Sequence, residues 1–598
     1  MDNHAQSCIE LNVGYLPTDP ARFAEKAVDG FAASHPRHVN RIDGGVIRLS
    51  PMAPGQVGVV VGGGSGHYPA FAGLVGAGMA SAAVCGNIFA SPSAGQVQRV
   101  GAAVEQGGGL LLTFGNYAGD VLHFSLGAER LRRQGIDVRI VTVTDDIASA
   151  GSDQMEQRRG IAGGLAVYKV AGAAAEAGLS LDAVEHLARK ANARTRTLGV
   201  AFSGCTLPGA STPLFTVPSG RMAIGMGLHG EPGLSEGSLC DADSLASLLV
   251  ERLLDERPLD VTAAEQRVVV LLNGLGGFKY EELFVLFASI SDSLKQAGVT
   301  VADCECGELV TSLDMAGVSL SLFWLDAELE PFWSAPADSP AYRRGLDAQI
   351  ATTLPGAGTS TVGRQPSAKA RQAESSAAES AELTAPQRML LARFRAVEEA
   401  LCQREEELGA LDAVAGDGDH GLGMVRGIRG ASAAAHAALA KNCETGEVLM
   451  EAGEAWSDHG GGTSGALWGG ALLAAGQSLA RISDRPVDEQ VKTAIEAALL
   501  AVRTLGQASL GDKTMLDALE PFHQRLHNNL KQGLGLEAAL NDAAAVCLKA
   551  AQATADLLPK RGRARPHGER SLGHPDAGAI SLAYCLQAAL QARQPQED

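Results

Sequence analysis

A change of character near residue 353 most constrains how this chain can fold. Residues 353–382, TLPGAGTSTVGRQPSAKARQAESSAAESAE, are rich in Ser, Ala, Gly and charge and have no apolar periodicity. Such a composition buries too little apolar surface to hold a core, so this segment is predicted to be a flexible linker. A chain of 598 residues is also too long for one hydrophobic core. We therefore expect separate domains over residues 20–352 and 383–598.

Three short apolar runs in the N-terminal part each end in a polar or glycine-rich loop. Residues 57–61 lead into GGGSGH, residues 110–114 into GNYAGD, and residues 138–143 into TDD. Segments of helical composition follow these runs, and strand–helix alternation is typical of a mostly parallel sheet covered by helices. Such sheets bind ligands at the carboxyl ends of their strands, so one shared site is expected there.

The strand–helix pattern restarts near residue 268, which predicts two α/β lobes over residues 20–255 and 256–352. Beyond the linker, strand-like runs nearly vanish and helical stretches follow one another, so the C-terminal domain is predicted to be all-α. Glycine-rich loops separate these helices. Because free amides and the helix dipole favour anions where a loop enters a helix, these loops are candidate phosphate sites.

Residues 411–421, LDAVAGDGDHG, bring the carboxylates Asp412, Asp417 and Asp419 close together in sequence. The glycines among them let the backbone turn sharply, so the three side chains can converge. Converging carboxylates repel one another unless a cation neutralises them, and oxygen ligands suit Mg²⁺ or Ca²⁺. A solvated acidic turn is the alternative, since Asp and Gly are ordinary turn residues. An EF-hand is excluded, because its ligand spacing is absent.

The formal net charge of −19 argues against two classes of partner. Nucleic acid and anionic membranes would both repel so acidic a surface. No stretch of about 18 apolar residues occurs, and the N-terminus has no basic-then-apolar leader. The ten cysteines are scattered without paired CxxC sets, which argues against zinc and disulfide frameworks. We expect a cytoplasmic protein that binds neither nucleic acid nor membrane.

Three features of the C-terminal part together suit phosphoryl transfer. They are the acidic loop, the glycine-threonine-serine loop at residues 460–465, and a basic run formed by Lys560, Arg561, Arg563 and Arg565. Phosphoryl transfer needs a metal to screen the phosphate oxygens, amides to cradle them and a cation for the developing charge. This combination favours a two-domain kinase whose α/β part binds the acceptor.

Long strings along nearly the whole chain resemble the fused, ATP-dependent members of the dihydroxyacetone kinase family. In the N-terminal part these strings are GGGSGHYPAFAGLVGAGMASAAVCGNIFASPS, GNYAGD, MGLHGEPG and TSLDMAG. In the C-terminal part they are LDAVAGDGDHG, GGTSGALWGG, GDKTMLDALEP and GERSLGHPDAGA. The resemblance implies a two-lobed α/β ketose-binding domain, an all-α helical barrel that binds ATP with Mg²⁺, and a homodimer.

The resemblance also implies roles for single residues of the ketose-binding domain. His229 would hold the substrate as a covalent hemiaminal, Asp120 would accept the proton of the reacting hydroxyl, and His67 would hydrogen-bond the substrate. Further substrate contacts would come from Gly64, Ser65, Gly66 and Gly115. A hemiaminal requires a carbonyl group, so short ketoses would be selected over polyols such as glycerol.

In the C-terminal domain, the resemblance assigns Asp412, Asp417 and Asp419 to Mg²⁺ that bridges the ATP phosphates. The remaining nucleotide contacts would be made by His420, Thr463, Ser464, Gly465, Thr514, Met515, Leu516, Arg563 and Asp576. The reaction implied is the phosphorylation of a ketose at a terminal hydroxyl with ATP as donor.

Three positions depart from the family pattern around the substrate. Gly115 stands where a lysine is common, and Tyr68 and Phe71 stand where Glu and His are frequent. These changes predict a ketose kinase for dihydroxyacetone, for the longer erythrulose, or for both. Three other functions stay open: a ketose-sensing regulatory protein, a subunit of a phosphotransferase relay, and a lyase that cleaves FAD to cyclic FMN. The aspartate loop argues against the first, and the fused linker against the second.

Overall fold

The computed structural model describes residues 16, 19–262, 266–345, 384–414, 416, 418–482, 485–560 and 570–592. Its N-terminal part contains two six-stranded sheets with helices, and its C-terminal part is helical in the described ranges. The predicted division into an α/β part and an all-α part is confirmed. The predicted linker, residues 353–382, lies outside the described residues.

The first sheet has the strand order β1-β2-β4-β3-β5-β6. Strands β3 to β6 run parallel, and the hairpin of β1 and β2 joins them antiparallel at one edge. The central strands are buried on both faces because helices cover the sheet. The strands are β1 (Val39–Ile42), β2 (Gly45–Arg48), β3 (Gly58–Ser65), β4 (Ala82–Ile88), β5 (Leu110–Gly115) and β6 (Val138–Val143).

The second sheet has the order β11-β10-β12-β7-β8-β9 and is mostly antiparallel, with β10 and β11 as its parallel pair. A short hairpin of β13 and β14 follows it. The strands are β7 (Thr195–Ala201), β8 (Arg221–Ile224), β9 (Ser235–Ser238), β10 (Arg267–Gly274), β11 (Thr300–Gly307), β12 (Gly317–Trp324), β13 (Ala337–Asp338) and β14 (Arg343–Arg344).

The predicted boundary between the lobes, at residues 255 and 256, is wrong. Strand β7 begins at Thr195 and pairs with β12, so the second sheet starts about 60 residues before the predicted position. Every residue of β7 is buried. A pairing between segments so far apart in sequence leaves no trace in local periodicity, which explains the error.

Within the described part of the chain, eight α-helices pack around the two sheets. The helix α4 is buried along nearly its whole length, and one hydrophobic core joins it to both sheets. The two sheets are thus parts of one packed unit. The helices are α1 (Phe23–Ser34), α2 (Ala94–Ala103), α3 (Ala118–Arg133), α4 (Gly164–Glu176), α5 (Leu181–Ala193), α6 (Ala242–Asp255), α7 (Tyr280–Gln296) and α8 (Glu330–Ser334).

The helices of the C-terminal part pack in a closed ring. Helix α9 contacts α11, each helix from α11 to α16 contacts the helix that follows it, and α17 returns to α9. The short α10 packs against α11. The predicted helical barrel is confirmed. Glycines allow close helix contacts: a Cβ at Gly453 on α12 would lie 2.8 Å from the Gly469 carbonyl oxygen on α13. The helices are α9 (Ala385–Cys402), α10 (Glu405–Ala413), α11 (His420–Ala440), α12 (Thr445–Gly460), α13 (Gly462–Arg481), α14 (Val487–Gly506), α15 (Leu516–Lys531), α16 (Leu536–Ala553) and α17 (Ala577–Gln591).

A membrane-spanning helix is absent from the described residues, since each helix there is too short or too polar to cross a bilayer.

Candidate active site between the two domains

A cavity lies at the carboxyl ends of β3 and β5, where the sequence pattern predicts a ligand site. It contains three of the predicted substrate and catalytic side chains, His67, Asp120 and His229, together with Gly64 and Gly115. The remaining lining residues are Gly63, Phe71, Phe89, Ser91, Tyr117, Gly160, Ile161, Tyr168, Leu228 and Val310. Ser65 and Gly66 are not among the lining residues, and the Ser65 hydroxyl donates to the Gly86 carbonyl at 2.6 Å.

Two histidines face each other in this cavity. The Nε2 atoms of His67 and His229 are 3.1 Å apart. The Nδ1 atom of His67 lies 2.8 Å from the Thr311 carbonyl oxygen, and that of His229 lies 3.0 Å from a carboxylate oxygen of Glu231. The Phe89 ring stacks on His67 and meets His229 edge-on. Both imidazoles are therefore fixed in orientation, with their Nε2 atoms turned towards each other.

Glu231, which the sequence analysis did not select, holds His229 from two sides. Its carboxylate accepts hydrogen bonds from the backbone amide of His229 at 2.9 Å and from the ring nitrogen Nδ1. Burial alone would raise the pKa of Glu231, but the charges of His229 and Arg159 hold it well below its ordinary value. The HGEPG string contains Glu231 two positions after His229. This spacing was the signal in the sequence from which Glu231 could have been predicted.

Two aspartates after β6 support the same wall. Arg159 pairs with Asp146 through an Nη2–Oδ2 contact of 2.8 Å and approaches Glu231 at 3.9 Å. Asp145 accepts the backbone amides of Ile161 and Gly163, both at 2.8 Å. Burial raises the pKa of Asp145 to about 6. These carboxylates organise the segment behind the cavity and do not line it.

Asp120 reaches the cavity from the first turn of α3 and is buried there. Nearby, Gly115 ends β5, and a Cβ at that position would lie 3.0 Å from the Tyr117 ring and 3.2 Å from the Gly160 carbonyl oxygen. The Tyr117 ring thus occupies the space beside Gly115. It also meets the His229 ring edge-on, at 5.1 Å between centroids.

The two other departures from the family pattern differ in position. Phe71 lines the cavity, and its ring fills the space above Gly63. The Tyr68 ring is 48% exposed and packs edge-on against Phe31, outside the cavity lining. Phe71 and Gly115 are therefore positioned to affect the size of the ligand, and Tyr68 is not.

The acidic loop lies where α10 ends and α11 begins. Asp412 is in the last turn of α10, and Asp419 occupies the N-cap position of α11. Burial, and then the Asp412 carboxylate, raise the pKa of Asp419 to about 7. Burial also raises the pKa of Asp576, at the start of α17, to about 7, and Asp412 adds to that rise. The Asp412 carboxylate thus disfavours ionisation of both Asp419 and Asp576, and oxygen donors of this type suit a divalent cation.

Asp417, the third predicted ligand, lies outside the described residues, as does Arg563. Within the described ranges, no group of three or more His, Cys, Asp or Glu side chains is arranged to hold a metal ion. The metal assignment of Asp412, Asp417 and Asp419 therefore stays a prediction.

His420 connects the acidic loop to the glycine-rich loop at the start of α13. Its Nδ1 atom is 3.2 Å from the Ser464 hydroxyl, and its Nε2 atom is 2.9 Å from the Ser581 hydroxyl. Gly461 and Gly462 have φ values of +61° and +57°, which L side chains rarely adopt. The loop delivers Thr463, Ser464 and Gly465 into the first turn of α13, where the first backbone amides of a helix have no intrahelical acceptor and can bind anions. The Gly465 amide itself donates to the Gly461 carbonyl at 2.9 Å.

Three of the predicted nucleotide contacts, Thr514, Met515 and Leu516, lie at a tight turn that leads into α15. Asp517 accepts the backbone amides of Gly511 at 2.5 Å and Thr514 at 2.9 Å. Met515 and Leu516 are buried, and a Cβ at Gly578 on α17 would lie 3.7 Å from the Met515 Cβ. Asp576, Thr514, Met515 and Leu516 are thus grouped at one end of the helical barrel.

The glycine-rich loop of the helical domain lies against the wall of the α/β cavity. The Gly462 amide donates to the Ser91 carbonyl at 3.4 Å, and Ser91 lines the cavity. A Cβ at Gly119, next to Asp120, would lie 3.6 Å from the Thr463 amide nitrogen. The start of α3 and the start of α13 therefore meet beside the cavity, so the glycine-rich loop adjoins it.

Comparison with known proteins agrees with this architecture. The Dak1 domain model matches residues 29–341, and the DAK2 domain model matches residues 414–591. The D-erythrulose kinase of Mycolicibacterium smegmatis is 51% identical over 579 residues, which cover 96% of this chain and 97% of that protein. The L-erythrulose kinase of Pectobacterium atrosepticum is 50% identical over 575 residues, 96% of this chain and 95% of that protein.

Among solved structures, the chain is similar to the dihydroxyacetone kinase from C. freundii in complex with AMP-PNP and Mg²⁺. The TM-score is 0.51 at 31% sequence identity, and the match covers 97% of this chain and 99% of that one.

Proposed function

Because the chain belongs to the dihydroxyacetone kinase family and is an ATP-dependent ketose kinase, we propose that it phosphorylates a terminal hydroxyl of erythrulose, of dihydroxyacetone, or of both. Relatives about half identical to this chain are named as D- and L-erythrulose kinases, which supports the four-carbon ketose. The proposal also includes the covalent attachment of the ketose to His229.

One observation carries this proposal: the cavity with His229 and Asp120 adjoins the glycine-rich loop of the helical domain. Asp120 is buried at the start of α3, and its neighbour Gly119 faces the Thr463 amide. A ketose held in the cavity would present a hydroxyl to Asp120 at this boundary. Phosphate bound at the start of α13 would lie next to that hydroxyl, as phosphoryl transfer requires.

The histidine pair supports a specific proton arrangement for the attachment step. A carbonyl oxygen only accepts hydrogen bonds, so His67 carries hydrogen on Nδ1, facing Thr311. The ionised Glu231 likewise favours hydrogen on Nδ1 of His229. Two neutral rings would then oppose bare Nε2 atoms 3.1 Å apart. One additional proton between the Nε2 atoms removes this conflict, and Glu231 balances its charge.

Attachment then proceeds with atoms and charges in balance. The shared proton resides on His67, and the Nε2 lone pair of His229 attacks the carbonyl carbon of the ketose. A nitrogen–carbon bond forms, the carbon–oxygen π bond breaks, and the proton of His67 moves to the new alkoxide oxygen. The positive charge passes from His67 to the alkylated His229 ring, where Glu231 continues to neutralise it.

Asp120 would serve the transfer step by accepting the proton of the hydroxyl that receives the phosphoryl group. In the helical domain, Asp412, Asp417 and Asp419 would hold Mg²⁺, and the Thr463–Ser464–Gly465 turn would bind phosphate through its amides and hydroxyls. When bound, Mg-ATP supplies the phosphoryl group and the metal screens its charge. His420 would fix Ser464 through the contact at 3.2 Å.

A coupled assay of ADP release tests the proposal. Purified full-length protein with Mg-ATP is offered dihydroxyacetone, D-erythrulose, L-erythrulose, glyceraldehyde and glycerol in turn. We expect turnover with at least one ketose and none with glycerol, which has no carbonyl group. His229→Ala should remove the preference for carbonyl compounds. No ADP release with any ketose, or equal turnover of glycerol, would contradict the proposal.

The predicted homodimer and the FAD-cleaving lyase reaction are tested separately. Light scattering on the full-length protein should give twice the chain mass of 61.6 kDa if the dimer forms. Incubation with FAD and Mn²⁺ should release cyclic FMN if the lyase reaction is present.

A further inference from the structure

His123 crosses the boundary between the two domains. It lies on α3, one helical turn beyond Asp120, and is fully buried. Its Nε2 atom is 2.8 Å from the Gly462 carbonyl oxygen at the start of α13. Because a carbonyl oxygen only accepts, Nε2 carries the hydrogen and donates it. Burial lowers the pKa of His123 to about 4, so the ring is neutral at neutral pH.

The contact of Nε2 with Gly462 fixes the orientation of the His123 ring, because the other ring nitrogen, Nδ1, makes no competing contact in the described part of the chain. Its Nδ1 atom is buried and has no hydrogen-bond partner among the described residues. The ring thus makes one directional contact, and that contact is with the opposite domain. A neutral imidazole with hydrogen on Nε2 leaves the Nδ1 lone pair buried, which is the arrangement that resists protonation.

Both polar groups of Gly462 are held by the ketose-binding domain. Its amide donates to the Ser91 carbonyl, and its carbonyl accepts from His123. Gly462 immediately precedes Thr463 and Ser464. Since Asp120 and His123 share one face of α3, the helix sets the distance between the proton acceptor and the glycine-rich loop.

We propose that His123 is a positioning residue, which holds the Gly462 carbonyl so that the glycine-rich loop stays aligned with Asp120 during phosphoryl transfer. The inference rests on the proposed function, because the proposed function places the ATP phosphates at the glycine-rich loop. Ion pairs flank the contact, Arg130 with Glu454 at 3.0 Å and Arg99 with Asp458 at 3.2 Å. These partly exposed pairs strengthen docking, whereas the buried hydrogen bond determines register.

Two substitutions separate positioning from simple packing. Leucine at this position would fill much of the space but has no donor. Glutamine extends an amide N–H about as far as Nε2 of histidine and so keeps the donor. If His123 only fills space, the His123→Leu variant should work at least as well as His123→Gln. If it positions the loop, only the glutamine should rescue activity.

The experiment compares full-length wild type, His123→Gln and His123→Leu. We expect His123→Leu to lower kcat by about 10- to 100-fold, because small misalignments of reacting groups have effects of this size. The KM for the ketose should change less than about threefold, since His123 is not among the residues that line its cavity. His123→Gln should retain at least about a third of the wild-type kcat, which is a loss of less than about 0.7 kcal/mol in transition-state stabilisation.

Hydrogen exchange measured by mass spectrometry provides a readout besides activity. Amides in residues 461–465 should exchange faster in His123→Leu than in wild type, and His123→Gln should resemble wild type. Thermal midpoints of the three proteins should agree within a few degrees.

Two results would overturn the inference. One is a His123→Leu variant with kcat and exchange rates close to those of wild type. The other is an equal loss in both variants accompanied by equal drops in thermal midpoint, which would indicate packing alone. If wild type phosphorylates no ketose, the proposed function fails, and the exchange comparison still decides whether His123 holds the loop.

Discussion

At the scale of single residues, the chemistry of His229 depends on which of its two nitrogens carries hydrogen. Glu231 accepts from the His229 backbone amide and faces Nδ1 of its ring, so the ring cannot turn without losing the Nδ1 contact. The Nε2 atom is left to face His67 and the cavity. A carboxylate two residues along the chain thereby fixes the orientation of the proposed nucleophile.

We predict that Glu231→Gln lowers kcat/KM for the ketose by about 100-fold, because an amide neither fixes the tautomer nor balances the positive charge on His229. The measurement is steady-state kinetics with the preferred ketose. Glu328→Gln is the matched control, since Glu328 contacts the exposed His186 at 3.4 Å on the surface. Equal activity of Glu231→Gln and wild type would show that Glu231 does not orient His229.

The space beside Gly115 gives a second prediction at this scale. In Gly115→Lys the new Cβ would press on the Tyr117 ring and the Gly160 carbonyl, and the longer chain would enter the cavity. We expect kcat/KM for erythrulose to fall about tenfold or more relative to that for dihydroxyacetone, because the larger ketose needs the lost volume. Gly115→Ala should show a smaller shift in the same direction. An unchanged ratio between the two ketoses would exclude Gly115 as a determinant of substrate length.

At the scale of secondary-structure elements, a charged pair joins β2 to the end of α4. Arg48 contacts Glu176 through Nη1–Oε2 at 2.6 Å and Nη2–Oε1 at 3.2 Å. The arginine side chain is 2% exposed and the glutamate side chain 37%. Burial alone would raise the pKa of Glu176, but hydrogen bonding and charge from Arg48 lower it. The pair therefore ties the sheet to the buried helix.

We predict that Glu176→Gln lowers the free energy of unfolding by about 1–2 kcal/mol at pH 7, a value reduced for the solvent exposure of Glu176. A lowered pKa means that this stabilisation is fully present above the ordinary carboxyl pKa and is lost as pH falls through the folded-state value. The difference between wild type and variant should thus shrink below about pH 4.5. Urea unfolding at several pH values measures it.

The control for this pair is Glu25→Gln, because Glu25 forms an exposed pair with Arg22. It should change the free energy of unfolding by less than about 0.5 kcal/mol. A difference between Glu176→Gln and wild type that stayed constant from pH 7 to pH 4 would show that its charge is not the cause.

At the scale of the whole molecule, activity depends on how the two domains meet. The surface of α2 and α3 faces α12 and the start of α13. Among the described residues, three side-chain contacts cross this surface besides that of His123. Ser93 hydrogen-bonds Asp458, Arg99 pairs with the same carboxylate, and Arg130 pairs with Glu454. All three contacts join the α/β domain to α12 of the helical domain, at the same boundary as His123.

We predict that Arg130→Glu and Glu454→Arg each lower kcat by roughly tenfold, since like charges would then face each other across the boundary. The double variant should recover most of the activity, because the pair is restored in reverse. The effect of each single variant should weaken at high ionic strength, where exposed charges are screened. Steady-state kinetics at low and high salt measures this. A double variant as slow as the singles would show that these two side chains do not act as a pair.

Much of the fold could be predicted because its signals are local. The strand β6 begins and ends at the predicted residues 138 and 143, since its apolar run and the polar residues that flank it decide those limits. Strand ends carrying His67, Gly115 and Asp120 were also expected at one edge, because parallel strands share that edge. Ser65 and Gly66 belong to the same loop but are not among the lining residues, and the Ser65 hydroxyl donates to the Gly86 carbonyl instead.

The sequence by itself therefore determined the two domain classes and the residues at the centre of the cavity, namely His67, Asp120, His229, Gly64 and Gly115. Only the tertiary structure decided that β7 pairs with β12, that Arg159 lies beside Glu231, and that His123 meets Gly462. His123 and Gly462 are 339 positions apart. No periodicity spans such a separation, because the contact exists only after both domains have folded and packed together.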